Sequence, residues 1–322
     1  MSNIKLINPF NNQPLQNIDQ GLKDNDGNFF PCKNWAFRFV KDNNYNQNFG
    51  FQWNKFVTTK IDKTANIDFT MKRFFAAACW DKENLEGKNV LEVGSGADRF
   101  IQIALDHTKS TFYGLDYSEA VEVNYKNNGP NDRLFLFQTG IYEMPFAKSQ
   151  FDKVFCFGVL QNTPDIEKSI TSLINMAKPG AGVIIDFYLI NGWWSKLHII
   201  YFLRPFTKKM TNEKLYGLID KNIDWLIKAN RFFSNIGVGN IINRFLPVCD
   251  IEGTLPKNLS TNQMKEMCLL DTFDIFSPKY DQPQKVAPIK KLFKKYGMKD
   301  IGGGTIQYNN SKVTLVKGIR QF

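Results

Sequence analysis

The chain has 322 residues, 43% of them hydrophobic, which exceeds a minimal domain and excludes a disordered, highly polar chain. Its 41 Lys and Arg outnumber 31 Asp and Glu, giving a formal charge of +10, the usual starting point for a nucleic-acid or membrane-surface reading. That excess is local: residues 1–190 are close to neutral, and nearly all of it falls between residues 191 and 299.

Cys32, Cys79, Cys156, Cys249 and Cys268 are widely spaced, so neither a CxxC metal knuckle nor a disulfide framework is indicated. Free thiols in a reducing cytoplasm are the expectation. The first residues, MSNIKLINPFNNQPL, hold no apolar core of signal-peptide length, and no apolar run approaches the ~20 residues of a membrane span. Peripheral membrane contact is the most that this pattern allows.

In chain order, residues 1–45 read as a small β-rich prefix, with short apolar runs separated by turn formers such as Asp24-Asn25-Asp26-Gly27. From Phe49 to Trp80 the pattern is helical and aromatic, with most of the aromatic stripe assigned to core. Apolar runs then alternate with amphipathic stretches. The runs are Asn89 to Val93, Thr111 to Leu115, Leu134 to Phe137, Lys153 to Phe157 and Gly182 to Tyr188, with helices expected near 98–107, 118–127 and 165–177. This βαβαβ order predicts a doubly wound α/β sheet. The alternation stops after Tyr188 and returns with a helix near 285–296 and strands at Met298 to Ile301 and Val313 to Lys317. The expected organisation is a prefix (1–45), a core (46–189), a mainly helical insertion (190–284) carrying the basic excess, and a return to the core sheet (285–322).

The first core strand ends in Glu92-Val93-Gly94-Ser95-Gly96-Ala97-Asp98-Arg99. Glycines at a strand-to-helix turn let a ligand approach the backbone and aim amide N–H groups at it. Arg99 stands where a dinucleotide GxGxxG needs its third glycine, which disfavours that reading. Asp116, at the end of the second apolar run, is placed to take both hydroxyls of a ribose. Glu92 is placed to meet an ammonium group of the same ligand.

Over residues 80–190 the chain resembles class I S-adenosylmethionine-dependent methyltransferases of the type 11 kind. The resemblance rests on Glu92-x-Gly94-x-Gly96, Asp116, Met144-Pro145-Phe146 before Phe151-Asp152-Lys153-Val154, Gly158-Val159-Leu160-Gln161-Asn162-Thr163-Pro164, and Lys178-Pro179-Gly180. It implies a seven-stranded Rossmann-like sheet with helices on both faces. The implied cofactor is S-adenosyl-L-methionine, with no metal, held by Glu92, Gly94, Ser95, Gly96, Asp116, Tyr117, Gly140, Ile141, Phe157 and Gly158. Asp98 replaces a third glycine, and Asn162 replaces a common histidine. The family's adenine-binding acid after the third strand is missing from Gln138-Thr139-Gly140-Ile141-Tyr142, so backbone groups of Gly140 and Ile141 and packing by Tyr117 are expected to take its place. The prefix resembles a zinc-ribbon-derived domain in which Asn8-Pro9-Phe10-Asn11 stands at the CPxC pair, implying a metal-free remnant.

The fourth strand ends in Phe155-Cys156-Phe157-Gly158 rather than N/D-P-P-Y, and no catalytic cysteine pair is visible, which argues against adenine-N and pyrimidine-C methylation. Acceptor contacts are therefore expected from the insertion. Trp194, Leu197 and Tyr201 fall on one helical face, with Lys196 and Arg204 outside it to meet phosphate or a membrane surface. His198, Asp274, Tyr280 and Asp281 are the candidate acceptor-side catalytic residues, and Trp53 is expected near the transferring methyl group. The expected reaction is methylation, at oxygen or carbon, of an anionic small-molecule, sugar or lipid-linked acceptor. RNA methylation is the alternative within enzymes, and a non-catalytic cofactor-binding scaffold the alternative outside them.

Overall fold

The computed structural model describes all residues except 1–3, 41–46, 58, 60–67, 79, 81–84, 98, 191, 193–196, 257–258 and 309–310. Asp98, Trp194 and Lys196 lie outside the described residues.

The five apolar runs form β5 (Asn89–Val93), β6 (Thr111–Asp116), β7 (Leu134–Gln138), β8 (Phe151–Cys156) and β9 (Ala177–Phe187), which pair in parallel in the order β7-β6-β5-β8-β9. Buried on both faces, such strands need apolar residues at successive positions. Val90, Phe112 and Phe155 project to one face, where they meet Phe74 and Phe100; Leu91, Tyr113 and Val154 project to the other, with Phe137 and Phe146. Helix α2 (Phe69–Ala78), which carries Phe74, and α3 (Arg99–His107), which carries Phe100, pack on the first face. Helix α5 (Ile166–Met176) belongs to the second, and Asp165 caps it by accepting from the Lys168 amide at 2.9 Å. Between α3 and α5 in sequence, α4 (Ala120–Asn128) connects β6 to β7.

The returning segment supplies a helix (Val286–Lys295) and two long antiparallel strands, β10 (Met298–Tyr308) and β11 (Ser311–Arg320), with β11 against β9. These seven strands are the expected sheet, but the sheet does not stop there. Among the described residues it has eleven strands, because the prefix strands β1 (Gln16–Ile18), β2 (Gly21–Lys23), β3 (Phe29–Lys33) and β4 (Ala36–Arg38) continue it beyond β7. Strand β4 runs parallel to β7, pairing Ala36 with Leu136 and Arg38 with Gln138. The count of seven is corrected accordingly: the prefix covers what would be an open edge with unpaired backbone groups. Arg38 secures it by donating to Gln138 Oε1 at 2.9 Å and pairing with Glu122 at 2.7 Å.

In the prefix turns, the Asp24 carboxylate accepts from the side-chain amides of Asn8 (2.6 Å), Asn11 (2.9 Å) and Asn28 (2.8 Å). One carboxylate thus ties two turns together by hydrogen bonds.

The insertion is helical, as its pattern predicts: α6 (Ile199–Thr207), α7 (Asn212–Asn235) and α8 (Thr261–Phe276), with short helical turns between. Leu215, Ile219, Ile223 and Leu226 of α7 bury against Met267, Leu270 and Phe273 of α8, at the i, i+4, i+8, i+11 spacing of one helix face. Ser260 and Gln263 form a reciprocal capping box that starts α8. Helix α1 (Gln47–Lys55) joins this unit to the core. Phe51 lies 5.5 Å from Phe273 between ring centres, and the Asn48 amide donates to Ser277 Oγ at 3.1 Å.

Candidate active site

Because β5 to β9 are parallel, their C-terminal ends lie along one edge, where a ligand crevice is expected. The loop after β5 is there. Gly94 (φ +82°) and Gly96 (φ +57°) both adopt left-handed backbone, which a side chain resists. Gly94 is further required by packing: a Cβ there would come 2.1 Å from Val159 Cγ2 in the loop after β8. At Gly96 the nearest neighbour is Trp53, whose indole nitrogen would be 3.0 Å from such a carbon. Trp53 is thus placed on the glycine loop by α1.

The loop's amides differ from expectation. Gly94 and Ser95 both donate to the Leu115 carbonyl, at 2.7 and 2.8 Å, and Gly96 donates to Asp116 Oδ2 at 2.8 Å. Instead of aiming three N–H groups at an anion, the turn spends them on β6. A loop so arranged offers close backbone approach without a phosphate cradle, which suits a cationic ligand better than an anionic one. The Ser95 hydroxyl accepts from Asn124 at 3.2 Å, so Ser95 is a buried brace.

Asp116 ends β6. Its Oδ1 accepts from the Ser118 amide (2.8 Å) and hydroxyl (2.6 Å). With Gly96, three of roughly four lone-pair positions on the carboxylate are engaged. One ribose hydroxyl can join directly, and a second can exchange with the rotatable Ser118 hydroxyl. Burial pushes the Asp116 carboxyl up, opposed by the hydrogen bonds from Ser118 and Gly96. Glu92 is buried on β5, between Gly114 and Phe155 of the neighbouring strands.

Past β8, Phe157 turns inward onto Phe100 (5.4 Å between ring centres), so its side chain belongs to the core. Gly158 (φ +75°) faces open space, with no atom within 4 Å of where a Cβ would stand. Asp186, near the end of β9, accepts from the Gly158 amide and pairs with Arg73 of α2 at 2.6 Å. After β7, Gly140 and Ile141 are buried beside Tyr117.

The acceptor-side candidates separate into two groups. Asp274 accepts from the Tyr188 hydroxyl at 3.2 Å, and Tyr188 directly follows β9. Asp274 beside it pushes the Tyr188 phenol well above its ordinary value, and Asp271 and Asp281 add to this, although Tyr188 itself is 45% exposed. The segment holding Tyr280 and Asp281 is tied down by Gln282, whose amide donates to the Gln161 carbonyl (2.8 Å), and by Gln284, whose amide donates to the Tyr188 carbonyl (2.8 Å). His198 stands apart as the N-cap of α6, its Nδ1 accepting from the Ile200 amide at 3.4 Å. Burial and nearby Arg244 hold its pKa down. Arg204 is not on an outer face: it is buried, donates to the carbonyls of Ile275 and Pro278, and pairs with Asp281 at 3.6 Å. Desolvating a guanidinium requires such partners, so Arg204 is committed to the insertion's own fold.

Residues 91–185 match the family model of a methyltransferase domain. This stretch is an S-adenosylmethionine-dependent methyltransferase domain. A tRNA U34 carboxymethyltransferase from Nautilia profundicola is 28% identical over 149 residues, covering 43% of this chain and 48% of that protein. A ubiquinone biosynthesis O-methyltransferase from Pseudomonas fluorescens is 32% identical over 112 residues, covering 33% of this chain and 47% of that one. The chain therefore spans about half the length of the curated relatives it matches. The solved structure of magnesium protoporphyrin IX methyltransferase from Synechocystis, with bound S-adenosylmethionine, aligns with 86% of this chain and 93% of that one, at 14% identity and TM-score 0.43.

The residues present fit S-adenosylmethionine. The methyltransferase domain brings two buried or part-buried carboxylates, Glu92 and Asp116, to the glycine turn, and leaves open space over Gly158. Sequence reasoning missed Tyr188, Asp186 and Glu143 in this region. Tyr188 and Asp186 carried no signal beyond their position at the end of an apolar run.

Proposed function

We propose that the chain methylates a hydroxyl of a small or lipid-linked acceptor, with Asp274 as the proton acceptor. The observation that carries this reading is the Tyr188–Asp274 contact of 3.2 Å directly after β9, on the strand edge that also holds Gly158 and the glycine turn. When bound, S-adenosylmethionine supplies an electrophilic methyl on a sulfonium. Glu92 and Asp116 would hold it, Gly158 would leave room beside it, and Trp53 of α1 would shield the glycine turn from water. Tyr188 keeps its proton at neutral pH and orients the Asp274 carboxylate. Asp274 would accept the acceptor hydroxyl's proton as the oxygen–methyl bond forms and the sulfonium carbon–sulfur bond breaks, with S-adenosylhomocysteine as the leaving group.

Asp271, Asp274 and Asp281 all act on Tyr188, and the nearby Arg204 is already paired. Asp274 and Asp271 beside one phenol, with Asp281 paired to Arg204, support an acceptor that is neutral or cationic at its reacting end, in place of the anionic one the overall charge suggests. The basic excess of the insertion belongs elsewhere. Leu218, Trp225 and Phe232 lie seven residues apart on α7 and are 49, 51 and 59% exposed, beside the exposed Lys221, Lys228 and Arg231. An apolar stripe with basic neighbours supports acceptor delivery at an anionic membrane surface.

RNA methylation is the second reading, favoured by the same charge and by the likeness to a protein named as a tRNA-modifying enzyme. Transfer of labelled methyl from S-adenosylmethionine into bacterial lipid extract, small-metabolite and total-RNA fractions separates the two. Label in an organic-soluble or small-molecule product, lost in Asp274→Asn, is expected. Label confined to RNA overturns the small-acceptor reading, and absence of label in every fraction, with the cofactor bound, favours the non-catalytic scaffold.

A further inference from the structure

Residues 199–245 hold nine of the sixteen exposed large hydrophobic side chains among the described residues, together with eight Lys and Arg against three Asp and Glu. Single exposed apolar residues need no explanation, but a concentration of them in one basic stretch does. Their order on α7 supplies it. Leu218, Trp225 and Phe232 repeat every seven residues, about 20° short of two turns, so they run for about 21 Å along one side of the helix. That side faces away from the Leu215–Ile219–Ile223–Leu226 face buried on α8. Lys214, Lys221 and Lys228 each precede one of the three by four residues, which sets a basic stripe beside the apolar one.

The acids of α7 lie on another flank. Asp224 pairs with Lys265 of α8 at 2.8 Å, and that hydrogen bond, with Asp220 nearby, raises the Lys265 pKa. Glu213 stands seven residues before Asp220, on the same flank. The apolar surface continues past the helix. After Gly237 (φ +81°), Asn243 folds the next turn back by donating to the Asn230 carbonyl (3.3 Å) and Ser234 Oγ (3.0 Å). Ile241 and Phe245 are thereby left 63 and 61% exposed beside the end of α7 that carries Phe232.

Charge and shape select what covers this face. A second copy of the chain would set lysines against lysines, since no acid flanks the apolar stripe. Nucleic acid would answer the lysines but not the aliphatic Leu218 and Ile241. An anionic bilayer answers both: headgroup phosphates meet the lysines, and the acyl boundary takes the apolar stripe. No helix among the described residues is long and apolar enough to cross a membrane, so such contact lies in the interface. We propose that α7 and the turn after it form a docking surface for an anionic lipid bilayer, with the helix lying in the plane of the headgroups. The inference rests on the membrane delivery proposed above and on none of its chemistry.

Co-sedimentation of the full chain with vesicles tests it without cofactor or acceptor. Wild type should bind vesicles of equal parts phosphatidylcholine and phosphatidylglycerol, release as salt rises, and not bind phosphatidylcholine alone. Lys214→Gln, Lys221→Gln and Lys228→Gln combined should weaken binding about a hundredfold, and Trp225→Ser with Phe232→Ser at least about tenfold. Thermal midpoints should hold in both, because these side chains are exposed. Tryptophan emission should shift to the blue on binding, and Trp225→Phe should remove that shift while still binding. Binding to neither vesicle, or equal binding by wild type and both variants, overturns the assignment. So does a dimer that Trp225→Ser with Phe232→Ser dissociates, or retention on total RNA in place of vesicles. Failure to dock would leave methyl transfer to a soluble acceptor standing, and a chain that docks but transfers no methyl would leave this surface standing.

Discussion

Asp186 holds Arg73 of α2 with one carboxylate oxygen, at 2.6 Å, and the Gly158 amide with the other. Both charges are largely removed from water, with side-chain exposures of 2% for Asp186 and 14% for Arg73. One carboxylate thus joins a helix on the face of the sheet to the loop after β8. Asp186→Asn keeps the shape and removes the charge, and should cost about 3–5 kcal/mol by leaving a buried guanidinium unpaired. Arg73→Met with Asp186→Leu should recover part of that stability while the Gly158 loop, having lost its anchor, still binds the cofactor weakly. Thermal midpoints and cofactor titrations of the three proteins check this. Equal destabilisation of the single and double variants would contradict it.

Gly94 is doubly constrained. Gly94→Ala meets a strained backbone worth about 1–3 kcal/mol and a contact with Val159 that cannot be met by a simple rotation. Adding Val159→Ala should relieve the contact alone, so the double variant should recover stability only in part. Chemical denaturation of both gives the split; a Gly94→Ala protein as stable as wild type would refute the packing argument.

Burial pushes the Tyr113 phenol up to about 12, above the ordinary 10. The folded protein therefore keeps this proton when the unfolded chain releases it. The associated stability is complete below pH 10 and is lost as pH rises through about 12. Tyr113→Phe should show a flatter fall of denaturation midpoint across that range. An identical fall would assign alkaline instability to other groups.

In the prefix, burial alone would raise the Asp24 carboxyl, but the amides of Asn28, Asn8 and Asn11 outweigh it and hold the group well below the usual carboxylate range. Its stabilising share is present above the ordinary carboxylate pKa and is lost as pH falls below it. Asp24→Ala should lower the thermal midpoint by several degrees and loosen the β4–β7 edge in hydrogen exchange, whereas chelators should leave wild type unchanged. A midpoint that drops on chelation would show that a metal holds these turns.

The parallel sheet was legible because strands buried on both faces must be apolar at consecutive positions: Asn89–Val93 is a strand with the bounds its hydrophobic run gives. The glycine turn and Asp116 were legible for a similar reason, since left-handed backbone and close packing restrict position 94 to glycine. What escaped were partnerships between distant segments. Nothing local in Ala36-Phe37-Arg38 announces a parallel neighbour a hundred residues later. Arg204 reads as an exposed cation until Ile275, Pro278 and Asp281 are seen around it. Glu143 was hidden because the turn at Gly140 moves a carboxylate three residues back, into the space left by an absent side chain.

The turn Gly94–Gly96 and Asp116 are proposed to hold S-adenosylmethionine. Calorimetric titration of wild type and Asp116→Ala with S-adenosylhomocysteine tests it most directly. Wild type should bind one equivalent. Each ribose hydrogen bond to the carboxylate carries about 1.5–3 kcal/mol, so the variant should bind at least tenfold more weakly while keeping its fold. Equal affinity in the two proteins, or none in wild type, would contradict the account.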